Sequence, residues 1–299
     1  MRVFVTGATG FVGSAIVQEL IGAGHQVLGM ARSEEGARSL AATGAQVHRG
    51  DLTDLESLRS GAAMSDGVIH TAFNHDFSKF KESCEADRRI IEALGAGLAG
   101  SDRPLVITSA IGILAPGRLG LEETLANSST TANPRVATEE AAGAVAARGV
   151  HVSVVRLPAS VHDNGDHGFV PMVISAAREK GISAYAGEGL NRWPAVHRPD
   201  AARLYRLVLE KGAAGARYHA VAEEGITFWE IAAVIGRRLN VPVEAKSPEE
   251  IAAHFGWLAH FVALDIPASS QRTREQLGWE PTGPGLIADV DHERYFKAK

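Results

Sequence analysis

Short apolar runs alternate with longer amphipathic stretches through the first half of the chain. The runs are rich in valine, isoleucine and leucine and are bounded by glycine or polar residues, which is typical of buried strands. They lie at residues 3–6, 26–30, 45–48, 67–71, 105–108 and 151–156. Helical periodicity fills the stretches between them, as at 82–98. Strands and helices in this order predict an α/β fold, a Rossmann-type doubly wound parallel sheet.

The pattern becomes irregular in the second half. A helix is predicted at 169–181 and a strand at 182–186. We therefore expect a first domain over residues 1–165 and a smaller C-terminal α/β substrate lobe over residues 166–299. The segment around 195–235 is expected to return to the first domain.

Several helix ends carry recognisable signals. A Ser or Thr followed three residues later by Glu is typical of a capping box, an Asp can cap a helix alone, and a glycine commonly ends one. The predicted starts are Thr53 with Glu56, Thr227 with Glu230, Asp200 and the run 247–250, and the predicted stop is Gly278.

The first strand runs directly into a series of three glycines. Gly7 allows a sharp turn, Gly10 lets backbone N–H groups approach a pyrophosphate, and Gly13 lets the following helix, at 14–21, lie close to the strand. The dipole of that helix also favours an anion at its N-terminus. The stretch therefore predicts a dinucleotide-binding site, and a tight strand-to-helix turn without a ligand is the alternative.

Composition limits the class of protein. The 299 residues are 45% hydrophobic and 22% charged, which is enough for one large core or a core with a smaller lobe. The formal net charge of −5, without a Lys/Arg-rich run, argues against a nucleic-acid surface. The single cysteine, Cys84, excludes an internal disulfide, and a small buried residue is favoured over a nucleophile.

No apolar run reaches membrane-spanning length, and Met1 leads directly into a strand, so no signal peptide is expected. We therefore expect a cytoplasmic protein, a monomer or homodimer, that binds a small-molecule substrate and neither nucleic acid nor membrane. No resident metal is expected.

Two runs of residues resemble a known family. The run Thr6-Gly7-Ala8-Thr9-Gly10-Phe11-Val12-Gly13, with its GxxGxxG spacing, resembles the extended and atypical short-chain dehydrogenase/reductases, a group that includes NAD-dependent epimerases and dehydratases. The run Leu277-Gly278-Trp279-Glu280-Pro281 resembles the C-terminal signature of the extended members. The resemblance spans most of the chain and implies a nicotinamide cofactor.

The end of the second strand bears on the choice of cofactor. NAD enzymes of this fold commonly place a carboxylate there, whereas an arginine with a neighbouring hydroxyl suits the 2′-phosphate of NADP. Arg32 and Ser33 stand at this place, which favours NADP over NAD, and a solvated arginine is the alternative. Asp51 and Leu52 match the family pair that holds the adenine, with helix capping as the alternative.

The resemblance implies further cofactor contacts at other strand ends. In the family, a small-residue pair after the fourth strand passes beside the pyrophosphate, and a Pro-containing loop after the sixth strand lies against the nicotinamide. The implied contacts are Thr9, Phe11, Val12, Thr71, Ala72, Phe73, Thr108, Pro158, Ser160 and Val161. His75 and Asp76 then open a loop that faces either substrate or solvent.

The sequence departs from the catalytic pattern of the family. There, a tyrosine four residues before a lysine is the acid/base, and the lysine lowers the pKa of the phenol. Aligning the helix at 133–140 with this pattern puts Arg135 at the tyrosine and Glu139 at the lysine, and neither side chain can do the original work. Arg135 is our candidate contact to cofactor or substrate, and an i, i+4 ion pair between the two residues is the alternative.

Other side chains are candidates for the missing chemistry. In relatives, a Ser or Thr after the fifth strand hydrogen-bonds the substrate carbonyl, and here the aligned residue is Ala110, with Ser109 beside it. The loop at 162–167 holds two histidines and two aspartates, so His162 or His167 could donate a proton. Capping, solvation or a metal site are alternatives for the same loop.

Three functions follow from these observations. The first is an NADP-dependent oxidoreductase of the atypical short-chain type, which acts on a small carbonyl or alcohol with Ser109, Arg135 and His162 as catalytic candidates. The second is a protein that binds NADP as a redox sensor without turnover, which loss of the family's catalytic residues would permit. The third is a nucleotide-sugar epimerase or dehydratase, which the missing tyrosine disfavours.

Overall fold

The computed structural model describes residues 1–126 and 133–297. Its strands are β1 (Arg2–Thr6), β2 (Gln26–Ala31), β3 (Gln46–Arg49), β4 (Gly67–His70), β5 (Leu105–Ala110), β6 (Val152–Leu157), β7 (Ser160–His162), β8 (Ser183–Ala186), β9 (Arg192–His197), β10 (Arg217–His219), β11 (Glu223–Thr227) and β12 (Val243–Lys246).

The α-helices are α1 (Phe11–Gly22), α2 (Glu34–Ala42), α3 (Leu55–Ala63), α4 (Phe80–Leu98), α5 (Val136–Ala146), α6 (Phe169–Lys180), α7 (Arg198–Lys211), α8 (Phe228–Leu239), α9 (Pro248–Phe255), α10 (Ala259–Val262), α11 (Gln271–Leu277) and α12 (Leu286–Val290). Short 3₁₀ turns lie at Phe77–Lys79, Ile111–Ile113, Gly256–Leu258 and Glu293–Tyr295.

Within the described residues, seven strands form one sheet in the order β10-β6-β5-β4-β1-β2-β3, and every neighbouring pair is parallel. The Rossmann-type doubly wound sheet predicted from the apolar runs is confirmed. All seven strands end at the same edge of the sheet, where ligands bind in open α/β folds.

Helices cover both faces of this sheet because strand side chains alternate between the two sides. Val5 and Val106 point to the face covered by α1 and α7, where Tyr205 is fully buried. Phe4 and Ile107 point to the opposite face, which packs against α3, α4 and α5. The central strands β1 and β5 are therefore apolar on both sides, as expected for buried strands.

The second half of the chain forms smaller sheets beside the first. Strand β9 pairs with β7 in parallel and with β11 in antiparallel fashion, while β8 pairs with β12. Helices α6, α8 and α9 pack around β8. Helix α7 packs on the large sheet, and β10 pairs with β6 in that sheet. The division into domains at residue 165 stays a prediction.

Three of the predicted helix signals form as expected. Thr227 and Ser247 each accept a hydrogen bond from the backbone N–H three residues on, and the glutamates at those positions bond back to the cap backbone. Gly278 ends α11 in the left-handed conformation, with φ +64°. These devices are local, which is why sequence spacing identified them.

Two other predicted caps are wrong. Asp54 caps α3 through its bond from the Ser57 N–H, while Thr53 donates to Asp51 instead. Asp200 lies inside the first turn of α7, and its carboxylate accepts backbone N–H groups from Thr282 and Gly283. The Asp200 carboxylate therefore binds the backbone of a distant segment and does not cap α7 as its spacing had predicted.

A buried ionic cluster lies on the α5 side of the large sheet. Arg156 of β6 has no exposed surface and bonds both oxygens of Glu139, at 2.7 and 2.8 Å. Glu139 also accepts from Arg217 at 2.9 Å. Burial alone would raise the pKa of the Glu139 carboxyl, but the bonds and charges of the two arginines outweigh it and hold the pKa below its usual range.

His219 of β10 closes this cluster as a neutral imidazole. Its Nδ1 donates to the Ser269 carbonyl at 2.7 Å, and its Nε2 accepts from Arg156 at 3.2 Å. Burial, together with the Arg156 charge, lowers the pKa of His219 to about 3. The unfolded chain therefore takes up a proton below about pH 6.5 that the folded chain does not take up until about pH 3.

Stability is expected to fall as the pH drops through that window, with a limiting contribution from His219 of about 1.4 kcal/mol per pH unit. Urea unfolding of wild type and His219→Asn between pH 7 and pH 4.5 measures it, because the variant should lack this part of the slope. The exposed His292→Asn is the matched control. Parallel curves for wild type and His219→Asn would contradict the assignment.

Candidate functional site

The glycine turn after β1 is built as the sequence predicts. Gly7 has φ +69°, and a Cβ there would lie 2.7 Å from the Ala72 nitrogen. A Cβ at Gly13 would lie 2.0 Å from the Gly7 carbonyl oxygen, so α1 can approach β1 only with glycine at this position. Packing therefore requires glycine at both positions.

Gly10 differs from the other two glycines. A Cβ there would meet only the Gly7 oxygen, at 3.2 Å, and the backbone is extended, at φ −79° and ψ 173°. Gly10 is the N-cap of α1, and among the described residues no side chain caps the helix and no acidic residue occupies its first turn. The open turn and uncapped N–H groups fit a pyrophosphate.

The end of β2 lies next to the glycine turn. Ser33 caps α2 by accepting from the Gly36 N–H at 3.0 Å. A Cβ at Gly36 would lie 3.2 Å from both the Ser33 hydroxyl and the Thr9 methyl group, so these segments are contiguous. The predicted contacts Thr9 and Ser33 therefore share one surface.

Arg32 projects from this surface into solvent. Its side chain is 83% exposed, and its Nε lies 3.9 Å from Asp51. Hydrogen bonds from the backbone and hydroxyl of Thr53 lower the pKa of Asp51, with a smaller contribution from Arg32. An exposed pair at this distance contributes little to stability, so the guanidinium is free to bind another anion. Leu52 beside it packs against the α3 and α4 side of the core.

The end of β4 packs against the glycine turn from the other side. The Thr71 hydroxyl donates to the Thr6 carbonyl at 2.9 Å, and Ala72 lies directly under Gly7. Phe73 follows, with the Arg135 guanidinium 3.8 Å above the centroid of its ring. The structure therefore brings the predicted contacts of β1 and β4 together with Arg135.

A chain of buried hydrogen bonds connects the glycine turn to Arg135. Asp87 of α4, which is 2% exposed, accepts from His70 Nε2 at 2.9 Å. The other ring nitrogen, His70 Nδ1, lies 2.6 Å from the Thr6 hydroxyl. The other Asp87 oxygen accepts from Arg135 at 2.8 Å and from Thr138 at 2.6 Å.

The Asp87 carboxylate is charged in this network. Burial alone would raise its pKa, but the His70 hydrogen bond and the Arg135 charge outweigh it and lower the pKa below the usual range. A second bond, from Arg135 to the Thr108 carbonyl at 3.0 Å, fixes the plane of the guanidinium. Arg135 therefore stands as a positioned cation with N–H groups that these two bonds do not use.

The sequence did not lead us to His70 and Asp87, which lie 17 residues apart on a strand and a helix. One signal was present. Asp87 falls on the apolar stripe of α4 formed by positions 84, 91, 94 and 98, all buried. A lone carboxylate on such a stripe indicates a buried partner, because an unpaired charge there is costly.

Glu139 does not pair with Arg135, so the alternative of an i, i+4 surface pair is wrong. Both residues are buried, and they face different partners: Arg135 bonds Asp87, while Glu139 bonds Arg156 and Arg217. Tertiary partners therefore override the helical spacing. The family's tyrosine and lysine are replaced by two residues that do not contact each other.

The end of β5 and the start of β7 hold two orphan hydroxyls. The Oγ atoms of Ser109 and Ser160 are buried and have no hydrogen-bond partner among the described residues. Thr108 differs, since its hydroxyl donates to the His70 carbonyl at 2.8 Å and lies 2.6 Å from the Tyr205 hydroxyl. Unpartnered buried hydroxyls are uncommon and fit a ligand that would supply a partner.

The loop after β6 places the other predicted contacts around this edge. Pro158 is buried, and Val161 packs against the core on the α1 and α7 side. Phe11, at the start of α1, lies under the Arg198 guanidinium at 4.7 Å and 5.7 Å from the His167 ring. Val12 also packs against that core.

His162 lies in the interior of the protein, without contact to solvent. Its ring has no exposed surface, and its Nδ1 donates to Asp289 at 3.1 Å. Burial lowers its pKa, and the Asp289 bond only partly offsets that. Its Nε2 is buried without a partner in the described part of the chain. The catalytic role of His162 stays a prediction, and burial of the ring weighs against it.

Cys84 is fully buried, and burial raises the pKa of its thiol to about 11. It is therefore a packing residue, as the sequence indicated. No helix in the described ranges is long and apolar enough to cross a membrane. No group of three or more histidine, cysteine or carboxylate side chains in those ranges is arranged to hold a metal ion.

Comparison with known proteins adds a family and a fold. Residues 3–222 match the model of the NAD dependent epimerase/dehydratase family. An uncharacterized protein of Schizosaccharomyces pombe is 51% identical over 297 residues, which cover 99% of this chain and 100% of that protein. An uncharacterized protein of Saccharomyces cerevisiae is 46% identical and covers 97% of this chain and 98% of its own.

A solved structure shares the fold over the full length. The UDP-glucose 4-epimerase of Thermus thermophilus, in complex with NAD, superposes with a TM-score of 0.72 at 21% identity, over 100% of both chains. At this identity the likeness concerns the arrangement of strands and helices. It supports the Rossmann-type fold of this chain.

Proposed function

Because this chain belongs to the NAD-dependent epimerase/dehydratase family, we propose that it is an NADP-dependent oxidoreductase acting on a small carbonyl or alcohol substrate. One observation carries the proposal: an open, uncapped glycine turn at Gly10 is contiguous with the exposed guanidinium of Arg32 at the end of β2. The pyrophosphate would lie on the turn, and the 2′-phosphate beside Arg32. Bound NADPH supplies a hydride for carbonyl reduction.

The residues of this chain would orient and polarise the substrate. Arg135, held by Asp87 and the Thr108 carbonyl, offers N–H groups to an oxygen that gains negative charge during hydride transfer. Ser109, with its orphan hydroxyl, is the second candidate donor. The proton itself comes from water or from a histidine, since arginine does not release one near neutrality.

Epimerases and dehydratases of nucleotide sugars are the competing enzymes, since the Thermus thermophilus protein carries such a name. In the family that this sequence resembles, those reactions use a tyrosine and a lysine, and Arg135 and Glu139 stand at the aligned positions here. Glu139 also bonds two arginines and leaves no charge free for a ribose. A reductase polarised by Arg135 needs neither residue.

The test is oxidation of NADPH, followed at 340 nm, across a panel of small aldehydes and ketones with product identified. Stoichiometric alcohol formation supports the proposal. Tight NADP binding without turnover over the panel would instead indicate a non-catalytic NADP-binding sensor. Interconversion of UDP-sugars without net NADPH oxidation would indicate an epimerase.

Cofactor choice is a separate expectation, and it depends on Arg32. A charge-assisted hydrogen bond to the 2′-phosphate is typically about 1.5–3 kcal/mol, which the 2′-hydroxyl of NAD cannot gain. The wild type should therefore prefer NADP by about 10- to 150-fold. Arg32→Ala should remove most of this preference and hardly change NAD affinity, as measured by calorimetric titration of both cofactors.

The exposed Arg59→Ala, on the surface of α3, is the matched control because it removes the same charge at a distance from the turn. Equal affinities of the wild type for the two dinucleotides would contradict the NADP assignment. In that case Arg32 is a surface residue.

A further inference from the structure

Six aromatic side chains form a continuous group at the carboxyl edge of the large sheet. Phe77 is central: its ring centroid lies 4.8 Å from Trp257, 5.6 Å from Phe80 and 5.6 Å from Phe261. The group, which we call the aromatic cluster, consists of Phe73, Phe77, Phe80, Phe169, Trp257 and Phe261. Its members come from the segment after β4, the start of α6 and the segment 256–262.

These rings differ from the aromatic residues of the core. Phe4 and Phe228 have no exposed surface, whereas every ring of the cluster keeps some, and Trp257 is 53% exposed. The cluster also holds five of the ten phenylalanines of the chain. Phe169 and Phe261 also pack against the core of the second half of the chain, so the cluster is a partly exposed extension of that core. Partly exposed aromatic rings gathered in one place are typical of a ligand-binding surface.

The cluster is continuous with the proposed reaction site. Phe73 comes directly after Thr71 and Ala72, which pack against the glycine turn, and the Arg135 guanidinium lies 3.8 Å above its ring. Phe73 lies 6.2 Å from Phe80, which stacks on Phe77. A cation that polarises a carbonyl therefore stands at one end of an aromatic surface.

We propose that the aromatic cluster binds the substrate side group, so that the substrates are carbonyl compounds with a planar aromatic ring next to the carbonyl, such as aryl ketones. This inference rests on the proposed function and names its substrate class. The ring packs on the exposed faces around Phe77 and Trp257, with the carbonyl oxygen toward Arg135. The carbonyl carbon accepts a hydride from NADPH and the oxygen takes a proton, which yields an aryl alcohol and NADP⁺.

A sugar fits this surface less well. The five phenylalanines of the cluster contribute no hydrogen-bonding side-chain group, Trp257 contributes one N–H, and the adjacent His75, 5.3 Å from Phe73 and 6.3 Å from Phe77 between ring centroids, adds an imidazole. The several hydroxyls of a sugar would therefore lose water there and gain few partners. An aryl ring instead loses only apolar hydration and gains stacked or edge-to-face contacts.

The test compares acetophenone with cyclohexyl methyl ketone, which share one skeleton and differ in the aromaticity of the ring. Dissociation constants for both are measured on the full chain saturated with NADP⁺, by ligand-observed NMR titration. Aromatic contacts beyond area burial predict about 2- to 12-fold tighter binding of acetophenone. Trp257→Ala and Phe77→Leu should each bring the ratio toward one.

Trp229→Ala is the matched control, since Trp229 is 49% exposed and lies at the start of α8, outside the cluster. Equal dissociation constants in the wild type, no binding of either ketone, or a preference that survives both cluster variants would overturn the inference. NADPH oxidation is followed in parallel. Turnover without aromatic preference overturns the inference alone, and aromatic preference without turnover overturns the proposed function alone.

Discussion

Gly10→Val is expected to weaken NADP binding strongly in a protein that still folds. The valine side chain would occupy the approach to the N–H groups of α1, while the extended backbone at this position accepts a β-branched residue. Its Cβ would meet only the Gly7 oxygen, at 3.2 Å. Loss of about two charge-assisted hydrogen bonds, each about 1.5–3 kcal/mol, predicts about a 10²- to 10⁴-fold weaker affinity.

The measurement is NADP titration by calorimetry, with circular dichroism and thermal unfolding as the check on folding. Gly22→Val is the matched control, because Gly22 lies in the same helix and a Cβ there meets nothing within 4 Å. Gly13→Ala should behave differently and destabilise the fold, since its Cβ collides with the Gly7 carbonyl. Retained NADP affinity in a folded Gly10→Val protein would contradict a pyrophosphate on this turn.

Arg135→Gln is expected to lower kcat for carbonyl reduction by about 10²- to 10³-fold, the range for removal of one oxyanion donor. NADP affinity should change little, because Arg135 lies beyond the glycine turn. Breaking a buried ion pair is also expected to reduce stability, by up to about 3–5 kcal/mol, since Asp87 keeps its charge without the guanidinium. Steady-state kinetics is therefore measured below the unfolding temperature of the variant.

Thr138→Val is the control for this substitution. It removes another hydrogen bond to the same Asp87 oxygen and leaves the guanidinium in place, so it should affect stability more than kcat. An unchanged kcat in Arg135→Gln would exclude Arg135 as the polarising group. Ser109 would then be the next candidate, and Ser109→Ala the next variant.

The glycine turn illustrates how much of the site local sequence can predict. Each glycine satisfies a requirement set by residues close to it in the sequence. Gly7 adopts a positive φ, Gly10 leaves the N-cap of α1 open, and Gly13 allows α1 to pack closely on the turn that follows β1. Because neighbours in sequence generate these constraints, spacing alone identified them. The position of Arg32 at the end of β2 follows in the same way.

The network around Arg135 illustrates what local sequence could not predict. Its partners Asp87 and Thr108 lie 48 and 27 residues away, on α4 and β5. Helical spacing instead suggested Glu139, which is drawn to Arg156. Sequence spacing can only identify partners that lie a few residues apart. A buried charge instead needs a partner that offsets the free-energy cost of its desolvation, and that partner can lie far away in the sequence.

The sequence by itself determined the order of strands and helices in the first half of the chain, the parallel sheet, the glycine turn, the capping box at Thr227 and the helix start at Ser247. Hydrophobic periodicity and backbone geometry act over a few residues, which is why these features could be predicted. Only the tertiary structure decided that His162 is buried against Asp289 and that Asp200 hydrogen-bonds the backbone at 282–283. It also decided that aromatic rings from distant segments meet beside Arg135. Those features depend on which surfaces the packed elements bring together.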